Sequence, residues 1–178
     1  MPDAPFRPDL DRSGRRIDGR RRAGGSAATG APPAPVPEKM PFDIPYGAPI
    51  AMEMAKKAAD AALAEATKRG WKMTISVVSP SGDLTYFMKM DDAPLASVTI
   101  APRKARTAAR FRRDIKVFLD LMESGHSSIG TLDPDLIAGL GGLPIVIGGK
   151  LIGAMGCGGG TGAQDAVICQ AGVDALGK

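Results

Sequence analysis

The chain contains no asparagine, so N-glycosylation has no acceptor. It has one histidine, His126, and two cysteines, Cys157 and Cys169, both late in its 178 residues. That count excludes a disulfide scaffold and a closed Cys/His zinc site, and no metal ligand set is assigned. Aromatic residues are scarce (4%), with Trp71 the one tryptophan, so small and aliphatic side chains must do most of the packing. No apolar run approaches the roughly 20 residues of a membrane helix, and no membrane partner is expected. A one-signed folded surface is also absent. Residues 1–40 carry eight Lys/Arg against five Asp/Glu, while residues 41–178 carry fifteen against fourteen. The basic balance therefore belongs to a tail, and nucleic acid is not an expected partner of the folded part.

Ten of the 15 prolines fall in residues 1–49, beside an arginine run from Arg12 to Arg22. A segment such as Ala31–Pro37 favours polyproline II and buries too little to fold. The expected organisation is a disordered Pro/Arg-rich tail over 1–40 and a folded domain over 41–178. Arg20-Arg21-Arg22 is not followed by the apolar stretch of an export signal, which makes the cytoplasm the expected location.

Within the domain, Ile50–Arg69 carries an alanine-rich stripe at helical spacing, with Gly70 as its stop; such a stripe suits close packing on a sheet or a subunit interface. Met73–Val78 and Leu84–Met90 flank the turn Pro80-Ser81-Gly82-Asp83 and form a hairpin. Ala96–Arg113 is helical, with a kink or restart expected at Pro102. Ile115–Glu123 is a short helix between Asp114 and Gly125, and a loop runs from His126 to Pro134. Leu143–Ile147, a turn at Gly148-Gly149 and Lys150–Met155 make a second hairpin, and Thr161–Leu176 closes the chain as a helix. The order is α-β-β-α-α-β-β-α. Tight turns join antiparallel strands, so the fold class is α+β, with helices on an antiparallel sheet.

Residues 139–162 hold 11 of the 23 glycines, and Gly156–Gly162 runs from a strand into a helix. Such a loop either exposes amides to an anionic ligand or lets strand and helix pack closely. Arg103, Arg106, Arg110 and Arg113 share one helix face. Lys104 falls on another face, among Ala101, Ala105 and Ala108, where a buried lysine would need a ligand carboxylate or a neighbouring acid. His126 lies in a loop, where it could move a proton or reach a metal; Asp133 could orient it. Cys157 and Cys169 read as small packing residues.

These segments together resemble the GlcG/HbpS-like family, found in glycolate-operon proteins, haem-binding proteins and the C-terminal part of PduO proteins. The stretches that carry the likeness include Val77–Gly82, Ala93–Ser97, Lys104–Phe111, Gly141–Ile145, Ile152–Gly156 and Gly158–Asp165. The chain departs from the pattern at Pro102 and at Ala166, where an acid would be expected. The resemblance implies a profilin-like domain, assembled as a homo-oligomer such as a tetramer or octamer, with haem or a corrinoid bound in some relatives.

Three functions stand at this point. A small-ligand-binding protein would hold haem or another flat anionic cofactor with Lys104, Arg110, His126, Gly158, Gly159, Gly160, Thr161, Gln164 and Asp165. A cofactor-independent enzyme acting on a small carboxylate or hydroxy acid would use Lys104 for the carboxylate, the Gly158–Gly160 amides for an oxyanion, and His126 with Asp133 for proton transfer. A structural or sensory oligomer is the third.

Overall fold

The computed structural model describes residues 35–40 and 42–177; of the tail expected over 1–40, residues 1–34 lie outside them. The alanine stripe forms helix α1, Met52–Arg69, which ends where Gly70 turns into the left-handed region at φ 69°. Strands β1 (Thr74–Val78) and β2 (Leu84–Lys89) follow as an antiparallel hairpin. Helix α2 (Ser97–Phe111) then crosses the sheet, α3 (Lys116–Glu123) follows, and a 3-10 turn occupies Ser127–Thr131. Strands β3 (Gly142–Ile147) and β4 (Lys150–Gly158) make the second hairpin, and α4 (Gly162–Asp174) is the last element. The expected element order and the antiparallel sheet are both present, with strand order β2-β1-β4-β3.

Helix α2 continues through Pro102 as one element, so the expected restart is not seen. Proline there deprives only the Val98 carbonyl of its helical partner, and Val98 is exposed, where water can take its place. Strand β4 is longer than expected and absorbs Gly156-Cys157-Gly158 into the sheet.

The two sheet faces differ in side-chain size. Ile75, Val77, Ile145, Met155 and Cys157 point to α1 and α4, where Ala55, Ala58, Ala59, Ala62 and Ala66 are fully buried. The alanine stripe is therefore core of this chain and not a free interface. The opposite face is built from Gly142, Ala154, Gly156 and Gly158, and α2 lies directly on it through Ala101, Ala105, Ala108 and Ala109. A Cβ on Gly156 would overlap the Ala101 carbonyl oxygen and sit 2.5 Å from the Ala105 nitrogen. That contact brings the middle of α2, with Lys104, down onto the end of β4.

Beyond the end of β1, the free side of β4 is covered by the segment ahead of α1. Gly47 donates to the Leu151 carbonyl (2.7 Å), Leu151 donates to Pro45 (2.9 Å), and Ile50 donates to Ile152 (2.7 Å). Arginines at the end of α2 hold this strap. Arg113 lies 3.4 Å over the Phe42 ring, Arg112 lies 5.2 Å over Tyr46, and Arg112 donates to the Ile44 carbonyl. Among the described residues no helix is long and apolar enough to cross a membrane.

Candidate functional site

Lys104 and Asp165 are 61 residues apart in sequence and meet at the end of the sheet. Lys104 is 5% exposed and Asp165 4%. The lysine ammonium donates to the Asp165 carboxylate at 2.6 Å and to the Cys157 carbonyl at 3.0 Å. The second carboxylate oxygen accepts the Gly160 amide at 3.0 Å. Asp165 stands in the first turn of α4, where the helix dipole favours an anion. Of the two partners anticipated for a buried Lys104, the structure supplies the neighbouring acid.

Thr161 and Gln164 close a capping box at the start of α4: the Gln164 side chain accepts the Thr161 amide (2.8 Å), and Thr161 Oγ1 accepts the Gln164 amide. Both side chains are thus tied to the helix start. The Gly160 and Thr161 amides donate within the protein, so the oxyanion-binding loop expected over Gly158–Gly160 has its Gly160 donor engaged with Asp165.

Above the ion pair is a cavity of about 270 Å³. Pro94, Ser97, Ile100, Leu140 and the glycines at 158–160 form its walls, with Lys104 and Asp165 at its base. Ser97 Oγ is bonded to Thr74 Oγ1 at 2.6 Å, which fixes the start of α2 against β1. A larger concavity, about 430 Å³, lies between the β3–β4 turn and α4, but no buried ionised side chain faces it. Buried charge is the rarer feature and distinguishes the smaller site.

The other expected site residues are elsewhere. His126 is exposed, with Nδ1 3.1 Å from Ser124 Oγ, and does not line the Lys104 cavity. Asp133 pairs with Arg110 Nη1 at 3.2 Å and also accepts the Asp135 amide. Arg110 borders a separate concavity with Tyr46, Pro80 and Ser81. Lys104, Gly158, Gly159, Gly160 and Asp165 are brought together; His126, Arg110 and Asp133 are not among them. Reading the residues one by one missed Pro94, Ser97, Ile100 and Leu140. The first two lie in Ala93–Ser97, a stretch that carried the family likeness without showing what it faces.

Burial pushes the Asp165 carboxyl above the ordinary carboxylate range, against the opposing pull of Lys104 and the Gly160 amide. The folded state then keeps this proton to higher pH than the unfolded chain does. Its contribution to stability is full below the ordinary carboxylate range and falls as pH rises through the raised value. Urea unfolding across acid to neutral pH should show wild type losing stability relative to Asp165→Asn as pH rises; a gain would show that Lys104 outweighs burial. Cys157 and Cys169 are both buried, and desolvation raises the Cys169 thiol well above its ordinary value. Such a thiol is not a nucleophile at neutral pH.

The family model described as "Haem degrading protein HbpS-like" matches residues 50–174, which holds every element of this fold. The chain belongs to the HbpS-like family. Among HbpS-like relatives, the protein GlcG of Escherichia coli is 36% identical over 107 residues, covering 60% of this chain and 79% of GlcG. A crystal structure of a double mutant of Streptomyces reticuli HbpS superposes with a TM-score of 0.69 at 26% identity, covering 83% of this chain and all of that one. The crystal structure of a PduOC:heme complex gives 0.67 at 27% identity, covering 71% and 94%. The cavity over Lys104 and Asp165 lies within the matched span.

Proposed function

We propose that this chain is a small-ligand-binding protein of the HbpS-like type, working as a homo-oligomer such as a tetramer or octamer. Its ligand is haem or a related flat, acid-bearing cofactor. The observation that carries the reading is the buried Lys104–Asp165 pair at the base of a cavity walled largely by apolar side chains and glycines. A rim of Ile100 and Leu140 suits a flat apolar body. The relatives add support, one of them having been crystallised as a heme complex.

The lining fits the porphyrin part of haem better than its iron. Among the described residues no histidine, cysteine or tyrosine side chain borders the cavity, and the Lys104 ammonium is held by Asp165 and the Cys157 carbonyl. Binding is favoured over turnover of a small carboxylate because Lys104 is already neutralised and His126, the expected proton mover, stands outside the cavity.

A haem titration of the full chain, followed by Soret absorbance, tests this. Saturable binding is expected in the wild type. Ile100→Glu places an anion on the rim at a residue 38% exposed. It should weaken binding about tenfold or more, the equivalent of about 1.4 kcal/mol. His126→Ala should stay within about twofold, because an exposed side chain outside the site contributes little. A non-saturating response in the wild type, or loss of binding in His126→Ala with Ile100→Glu unchanged, would overturn the assignment.

A further inference from the structure

The cavity over Lys104 does not end at the glycine loop. On the far side of Gly159 and Gly160 lies a second concavity of about 330 Å³, bordered by Trp71, Lys72 and Asp92. Pro94, Gly159 and Gly160 line both. Strand register explains the adjacency: Thr74 pairs with Gly158, so the residues leading into β1 run beside those leaving β4. Gly159 has φ 139°, and a Cβ there would overlap the Lys72 carbonyl oxygen and lie 3.0 Å from Met73 Cα. Neither glycine raises a side chain into the shared wall.

The second concavity has features of its own. Trp71 is half-buried at the edge of the core, with the Arg69 guanidinium 5.0 Å from its ring centroid. Lys72 is exposed and makes no ion pair among the described residues, in contrast to Lys104. Asp92 holds a left-handed backbone at φ 62°, a conformation that costs a non-glycine residue energy and is concentrated at ligand sites. Each concavity alone is at or near the lower end of the roughly 300–1,000 Å³ that small-molecule sites span.

We propose that the two concavities are lobes of one groove, in which a flat ligand lays its body over Gly159–Gly160 and carries an acid group to Lys72 beside Trp71. This rests on the flat-ligand reading above and extends it to a second recognition site. Lys72 supplies the unpaired cation that the Lys104 lobe lacks, and Trp71 supplies an aromatic edge against which the ligand packs.

Zinc protoporphyrin IX, a diamagnetic flat diacid, provides the probe, read on the full chain by ¹H–¹⁵N correlation spectra. The single indole N–H of Trp71 and the Gly158–Gly160 amides should shift together with one dissociation constant. Lys72→Glu should raise that constant about tenfold or more, as expected for loss of about one charge-assisted contact. Lys150→Glu, the same charge change at the distant β3–β4 turn, should leave it unchanged. Shifts confined to the glycine amides, or a Lys72→Glu affinity equal to that of Lys150→Glu, would overturn the second lobe and leave the flat-ligand reading standing. Shifts at Trp71 alone would overturn the continuity of the groove. No shift at either place would overturn both readings.

Discussion

Lys104→Ala is expected to destabilise the fold by about 3–5 kcal/mol, the usual cost of leaving one member of a buried ion pair alone. Asp165 would remain behind the start of α4 with one of its two donors gone, and no other cation among the described residues pairs with it. Lys104 also donates to the Cys157 carbonyl, so the same change strands a backbone acceptor at the end of β4. For a domain of this size the loss corresponds to a fall in Tm on the order of 10 °C. The informative companion is the double replacement Lys104→Met with Asp165→Leu. Removing both charges should recover most of the loss, because well-packed apolar residues often match a buried pair in stability. Thermal and urea unfolding of the three variants measures this. A single-variant cost below about 1 kcal/mol would mean that water reaches the pair freely, contrary to its burial.

Gly156→Ala should be nearly as damaging, for a steric reason. The added methyl would strike the backbone of α2 at Ala101 and Ala105, and backbone cannot step aside as a side-chain tip can. Helix and sheet would have to separate, at about 3 kcal/mol or more, the upper range for overpacking a close-fitted core. Gly158→Ala is the matched control on the same face of the same strand. Its Cβ would meet Ser97 Cβ at 3.6 Å, an ordinary contact, and it should cost less than about 1 kcal/mol. Equal effects from the two changes, measured by urea unfolding, would show that β4 yields locally and that the close approach of α2 is not enforced by Gly156.

These two residues also show how far sequence carries the structure. The elements were legible because their signals are local: the alanine stripe and Gly70 for α1, the Pro80–Asp83 turn for the first hairpin, Gly148-Gly149 for the second. The burial of Lys104 was legible too, since helical spacing set it apart from the arginine face. Its partner was not, because Asp165 lies 61 residues away and only the fold of α2 and α4 about one sheet end brings them together. The glycine cluster was ambiguous for a related reason. Sequence records that a side chain is missing without recording what fills the space, and here α2 fills it at Gly156 while Gln164 and Met73 fill it at Gly160. His126 stood out by being the sole histidine, a property of composition that says nothing about position.

The strap ahead of α1 has a further consequence for which edge of the sheet is closed to other strands. Beyond the last residue of β1, strand β4 would otherwise present the main-chain groups of Leu151 and Ile152 as an open edge. Uncovered edges of this kind recruit strands from other molecules and seed aggregation. Pro45, Gly47 and Ile50 occupy those groups instead. One of the two edge strands, β3, carries Pro144, which removes one donor from its row. Residues 42–49 precede the span matched by the family model, so trimming the chain to that span would remove most of this guard against edge-to-edge association while leaving every helix and strand intact.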